Sequence, residues 1–134
     1  MRDTQLSVFL ENRPGRLAHL LQVLSAAQVN LRALSVADSA DFGVVRLIVS
    51  DTQTALRALQ EAGLVAVTTT VLRAEIPDVP GGMLHGIVEP LAEAGVNIEY
   101  TYAYSERPSE RAVVVLKVND LEKAEKVLEQ RAGG

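Results

Sequence analysis

The chain carries the same strand, turn and helix pattern twice, and this repeat restricts its fold more than any other feature. Alternating apolar residues at 5–10 predict a strand, and the apolar spacing at 17–27 predicts a helix. Pro14-Gly15 joins the two, and Pro80-Gly81 makes the same join in the second copy. Proline fixes its own φ and glycine accepts positive φ, so each pair predicts a tight strand-to-helix turn.

The order of predicted elements extends the repeat to the whole chain. The first 70 residues follow β-α-β-β-α-β, and the order then starts again. We therefore predict an α+β fold of two ferredoxin-like βαββαβ units, residues 1–70 and 71–134, with antiparallel sheets and helices on one face. Residues 65–76 form one extended run that serves both units. The second unit lacks a clear closing strand, so we expect a partner chain or a rearranged strand to cover that sheet edge.

Composition excludes several classes of function. The formal net charge is -4 and the basic residues are scattered, which argues against a nucleic-acid partner. The chain has no cysteine, so it can form neither disulfides nor thiolate metal sites. No apolar stretch is long enough to cross a membrane and no signal peptide is apparent, so we expect a cytoplasmic protein without a membrane partner.

Motifs of catalysis and of cofactor binding are missing from the sequence. It contains no Gly-rich phosphate loop, no H-E-x-x-H and no nucleophile elbow, so we expect no enzyme activity and no cofactor. Each Pro-Gly turn, by contrast, leaves the first helical amides without intrahelical partners, which favours binding of a carboxylate or phosphate. Arg13 and Arg16 flank the first turn and either clamp such an anion or solvate the surface. His19 and His85 occupy corresponding places, and we expect them on solvated helix faces.

Two motifs recur in register and indicate a family. Asn12-Arg13-Pro14-Gly15 precedes Val29-Asn30-Leu31, and Asp78-Val79-Pro80-Gly81 precedes Val96-Asn97-Ile98. Over nearly its whole length the chain resembles the ACT domain, a small regulatory module of amino-acid metabolism, in its stand-alone tandem form. The resemblance implies a small-molecule sensor without an attached catalytic domain.

The resemblance also implies a site at the interface between two units, where the turn of one meets the Asn of its neighbour. The implied ligand-binding residues are Asn12, Arg13, Pro14, Gly15, Arg16, Leu17, Asn30, Asp78, Pro80, Gly81 and Asn97. Alternatively, the glycines serve only the turns, and the asparagines only occupy turns with positive φ. The first turn is the expected site, because the extra residue at Gly82-Met83 shifts the second turn relative to its helix. Asp78 also places a negative charge where a ligand carboxylate would lie.

The predicted function is that of a non-catalytic regulatory module that binds an amino acid, with an apolar one suggested by Leu17, Val29 and the tyrosines. We expect a homodimer whose arrangement responds to the ligand. Tyr100, Tyr102 and Tyr104 share one strand face with Ile98, and they form an inter-unit surface, a pocket wall or simple core. The alternative function is a protein-interaction module that docks on a metabolic enzyme through its open strand edge or tyrosine face.

Overall fold

The structure is a computed structural model that describes residues 1–39, 42–105 and 111–132. Its elements are β1 (Arg2–Glu11), α1 (Arg16–Ala26), β2 (Leu31–Ser39), β3 (Phe42–Val49), α2 (Thr52–Glu61), β4 (Val65–Pro77), a π-helical turn (Leu84–Val88), α3 (Glu89–Glu93), β5 (Ile98–Tyr104), β6 (Arg111–Val118) and α4 (Leu121–Ala132). This order confirms the predicted α+β fold with two ferredoxin-like units.

The chain divides into two compact units. The first unit is Thr4–Thr69, and the second unit combines Met1–Asp3 with Thr70–Gly134. Strands of the first unit lie in the order β2-β3-β1-β4, and those of the second in the order β4-β6-β5. All pairings with β3 and β6 are antiparallel. In the structure, β4 is one uninterrupted strand whose two halves belong to different units.

Each unit has its own apolar core between its sheet and its helices. In the first unit, alternate residues of β1 point at α1 and α2, with Leu6, Leu20 and Leu59 fully buried. In the second unit, Leu72 of β4 and Leu116 of β6 are fully buried in the corresponding core. Shortening one of these leucines to alanine removes apolar contacts and leaves a cavity, at a cost of about 2–5 kcal/mol of stability.

The place of the missing closing strand is taken by the start of the chain. Among the described residues no strand follows α4, as predicted. Met1–Asp3 belongs to the second unit, where the N–H of Arg73 donates to the carbonyl of Met1 at 2.6 Å. Arg2 anchors this segment to α4 through an ion pair between its Nε and Glu125 Oε2, at 3.1 Å. A rearranged strand therefore covers this part of the sheet.

A β-bulge corrects the predicted faces of β5. Ile98 pairs with Val118 but Tyr100 pairs with Lys117, so Glu99 is an extra residue in the strand. Ile98 consequently packs on the core side, whereas Tyr102 and Tyr104 stand opposite Val115 and Val113 on the other face. The prediction that the tyrosines share a face with Ile98 is wrong. A shift between Leu31 and Ala33 places the same kind of bulge in β2.

The extra residue of the second copy lies in the helix and not in the turn. His19 and His85 stand 66 residues apart and donate equivalent bonds to Gly15 and Gly81, at 3.0 and 2.9 Å. Further along the helix, equivalent residues of the two copies are 67 positions apart. The N–H of Val29 donates to the carbonyl of Leu24, and the N–H of Val96 donates to that of Leu91. The π-helical turn between these points absorbs the insertion. The prediction that the second turn shifts relative to its helix is therefore wrong.

Candidate functional site

The two Pro-Gly turns have the same geometry. Gly15 and Gly81 have φ values of 87° and 80°, which explains why glycine stands at both. The N–H of Arg16 donates to the carbonyl of Arg13 at 3.3 Å, and that of Gly82 donates to Val79 at 3.0 Å. The turn therefore requires both glycines, whether or not a ligand binds there.

Around the first turn the predicted site residues are largely exposed. Asn12, Arg13, Pro14, Gly15 and Leu17 are exposed and Arg16 is half-buried. Arg13 pairs with Glu11 of the preceding strand, with 2.8 Å between Nη2 and Oε2. The guanidinium of Arg13 is therefore paired with a carboxylate of its own unit.

Asn30 lies at the opposite end of α1 from this turn. The helix has 11 residues, which separates its ends by about 16 Å. Asn30 instead lines a separate cavity of about 400 Å³ beside the end of α1. One unit therefore does not bring Asn30 and the turn together, and the prediction that they share a site requires a neighbouring unit.

The two asparagines have equivalent backbone bonds. The N–H of Asn30 donates to Ser50 Oγ, and that of Asn97 donates to Asn119 Oδ1, both at 2.9 Å. Positive φ occurs at Gln28 and Gly95, two residues earlier in each copy. The alternative that the asparagines occupy positive-φ turns is therefore wrong, and both side chains are exposed.

The second turn borders a cavity of about 780 Å³ inside the second unit. Its lining residues are Met1, Arg73, Ala74, Glu75, Ile76, Pro77, Val79, Pro80, Gly81, Gly82, His85, Gly86, Ile87, Arg111, Leu128 and Arg131. Of the predicted site residues, Pro80 and Gly81 lie in this wall. Asp78 and Asn97 are both exposed, and neither is among the described residues that line the cavity. The carboxylate of Asp78 therefore does not stand in the cavity wall.

Three arginines give this cavity a positive wall. Arg73 comes from β4, Arg111 from β6 and Arg131 from α4. Arg111 Nε lies 3.5 Å from Glu75 Oε2, and its Nη2 donates to the Glu75 carbonyl at 3.4 Å. These residues are far apart in sequence and no local motif marks them, so sequence reasoning missed them.

Arg131 is positioned by the π-helical turn. The N–H of Glu89 donates to the carbonyl of Leu84 rather than to that of His85, and Pro90 has no N–H to offer. The guanidinium of Arg131 donates to the His85 carbonyl. His85 Nδ1 lies 3.1 Å from Glu89 Oε2, and the exposed His85 side chain borders the cavity. The π-helical turn that contains the insertion is thus hydrogen-bonded to α4, and both His85 and Arg131 line the cavity.

The described residues contain neither a metal-binding cluster nor a membrane-spanning helix. Within residues 1–39, 42–105 and 111–132, no group of three or more His, Cys, Asp or Glu side chains could hold a metal ion. No helix in that part of the chain is both long and apolar enough to span a membrane.

The fold has two ferredoxin-like units in tandem, each with a Pro-Gly turn after its first strand, and comparison with known proteins identifies the family. A family model described as an ACT domain pair matches residues 1–132. The chain belongs to this family. Comparison with curated proteins gives no significant match.

Solved structures extend this comparison. Protein BT0572 from Bacteroides thetaiotaomicron is 37% identical with a TM-score of 0.92, covering 98% of this chain and 90% of its own. The regulatory subunit of aspartate kinase from Thermus thermophilus, in a ligand-free form, is 20% identical with a TM-score of 0.70, covering 99% and 94%. The corresponding subunit from Thermus flavus is also 20% identical, with a TM-score of 0.64 and coverage of 98% and 95%. The likeness to the two kinase subunits is one of fold.

Proposed function

We propose that this chain is a non-catalytic regulatory module that binds an amino acid in the cavity beside Pro80-Gly81 of its second unit. The observation that carries the proposal is that the Pro80-Gly81 turn forms part of the wall of an arginine-lined cavity of about 780 Å³. Pockets of this size suit small molecules, and guanidinium groups suit carboxylates. Membership of the ACT domain pair family supports a regulatory role.

The cavity also has the apolar surface that the carbon skeleton of a ligand requires. Val79, Ile87 and Leu128 contribute to its wall, and Gly81 and Gly82 allow the ligand to approach the backbone of the turn. Although the sequence favoured the first turn, these features favour the second. The first turn remains a prediction that the same experiment tests.

We further propose that the protein acts as a homodimer in which a unit of the partner chain closes the site. A ligand held by two chains binds one assembly better than the other, and it therefore shifts the population toward that assembly. The regulated partner in this proposal is a metabolic enzyme. The absence of cysteine fits the reducing cytoplasm as its location.

A thermal-shift panel of the twenty amino acids tests the proposal, with gel filtration on each ligand that shifts the melting temperature. A ligand at about 100 times its dissociation constant adds roughly 2.7 kcal/mol of stability. The panel is run on the wild type, on Val79→Glu and on Val65→Glu. Both valines are more than half exposed, at 57% and 62%, but only Val79 borders the described cavity.

The expected result is a stereospecific shift in the wild type and in Val65→Glu that is lost in Val79→Glu, because the new carboxylate repels the ligand carboxylate. A shift that persists in Val79→Glu contradicts the second-turn site. A parallel Arg13→Glu variant then shows whether the first turn is used. If no amino acid shifts the wild type, the interaction-module alternative replaces the sensor.

A further inference from the structure

The charges of the second-unit cavity exceed what a neutral amino acid needs. Arg73, Arg111 and Arg131 contribute three positive charges, and Glu75 is the one carboxylate among the described lining residues. An amino acid with an uncharged side chain brings one carboxylate and one ammonium group. One arginine and Glu75 match these two groups, so the wall has an excess of positive charge.

Two of the arginines are held in place by their own unit. Arg111 is anchored at both the carboxylate and the carbonyl of Glu75, and Arg131 is anchored at the carbonyl of His85. Guanidinium groups that are oriented before binding lose less conformational freedom when they meet an anion. They also come from different elements, Arg111 from β6 and Arg131 from α4.

We propose that the ligand is an amino acid whose side chain carries a second anionic group, either a carboxylate or a phosphate. This inference rests on the proposed function and adds the chemical class of its ligand. Arg111 binds the side-chain anion, Arg131 binds the α-carboxylate, and Glu75 accepts a hydrogen bond from the ammonium group. Val79 and Leu128 cover the short carbon chain between these groups.

Isothermal titration of the wild type with matched pairs of amino acids tests the class directly. The acids are L-aspartate, L-glutamate and O-phospho-L-serine, and their neutral counterparts are L-asparagine, L-glutamine and L-serine. We expect one acid to bind about tenfold or more tightly than its counterpart, because hydrogen bonds between ions are stronger than those to a neutral group. The preferred acid distinguishes a carboxylate from a phosphate.

The variant Arg111→Gln locates the effect, and Arg57→Gln serves as its control. Both arginines are exposed, so neither change disturbs a core, and Arg57 lies on α2 of the first unit. Arg111→Gln should weaken binding of the acid about tenfold and leave the neutral counterpart within about twofold. Arg57→Gln should bind both as the wild type does.

Each outcome decides between the two proposals. Equal affinity of the wild type for acid and neutral amino acids, abolished by Val79→Glu, overturns the dianionic ligand but keeps the amino-acid site. Equal losses for both ligand types in Arg111→Gln also overturn it. Absence of binding by every amino acid overturns the proposed function and this inference together.

Discussion

At the scale of single residues, the glycines of the two turns differ in what an added side chain would meet. A Cβ on Gly15 meets nothing within 4 Å, and the obstacle is its φ of +87°. A Cβ on Gly82 lies 2.3 Å from the carbonyl oxygen of Pro77, which is backbone and cannot rotate away. The first glycine thus relieves torsional strain, and the second permits close contact between turn and strand.

We predict that Gly82→Ala lowers the free energy of unfolding more than Gly15→Ala does. Gly15→Ala should cost about 1 kcal/mol, since left-handed φ is unfavourable for alanine but the unfolded chain loses entropy. Gly82→Ala should cost about 1–3 kcal/mol through overpacking. Urea unfolding monitored by circular dichroism measures both, and equal costs would contradict the close contact.

Asp51 provides a residue-scale test of pH dependence. The Thr54 hydroxyl, and after it the Thr54 N–H, donates to the Asp51 carboxylate and lowers its pKa below the usual 3.8. Because the folded pKa is lowered, this stabilisation is present above the unfolded pKa and disappears as the pH falls through the folded one. We expect the wild type to exceed Asp51→Asn in stability at neutral pH.

Asparagine retains an acceptor for the Thr54 N–H but does not titrate. The stability difference between wild type and Asp51→Asn should therefore shrink as the pH drops below 3.8, the usual carboxyl value. Unfolding curves at several pH values measure it. A difference that stays constant across this range would show that the charge of Asp51 contributes nothing.

At the scale of elements, the first helix of each copy is followed by a residue with positive φ, and the residue type differs between the copies. The N–H groups of Gln28 and Gly95 donate to carbonyls three residues earlier, and both residues adopt positive φ, at 61° and 76°. Glycine adopts this conformation without strain, whereas glutamine adopts it at a cost in free energy. The first copy therefore carries backbone strain at a position that is relaxed in the second.

We predict that Gln28→Gly raises the free energy of unfolding by up to about 1 kcal/mol, because it removes the left-handed strain. The reciprocal change Gly95→Gln should lower it by a similar amount. Denaturation midpoints at unchanged m-values measure both effects. Opposite signs support the cap geometry, whereas destabilisation by both changes would contradict it.

Element boundaries followed from the sequence, but two one-residue insertions did not. Asp51 caps the start of α2 and Gly63 follows its end with positive φ, and both residue types are readable from the sequence because capping depends on neighbours along the chain. The insertion in the second copy was detected but assigned to the turn. A helix can absorb an extra residue as a π turn, and Pro90 already lacks the N–H that the α-helical pattern needs there. The alternating pattern from Ile98 to Tyr104 likewise concealed the bulge at Glu99.

At the scale of the whole molecule, the candidate site was the least predictable feature. The Pro80-Gly81 turn was identified from its local motif, but the arginines beside it come from β4, β6 and α4. Only the fold brings them to one cavity. The role of Met1–Asp3 in the second unit was equally hidden, since the hydrogen bond between Arg73 and Met1 joins residues that lie more than half the chain length apart.

We predict that removing residues 1 and 2, with methionine replacing Asp3, weakens the second unit. Loss of the Met1 carbonyl and of the Arg2–Glu125 ion pair exposes the β4 amide of Arg73. Hydrogen exchange of β4 amides in residues 70–76 should become faster, and exchange in β2 of the first unit should stay unchanged. Equal protection in both proteins would show that the segment does not stabilise β4.

The most direct test of the central claim is a ¹H–¹⁵N correlation spectrum of the protein titrated with the amino acid that gives the largest thermal shift. Ligand binding in the second-unit cavity should move the amide signals of Gly81, Gly82 and His85 and the side-chain signals of Arg111 and Arg131. The amide signals of Arg13, Gly15, Arg16, Leu17 and Asn30 should move little. The reverse pattern, with large shifts at the first turn and none at Gly81, would contradict the account.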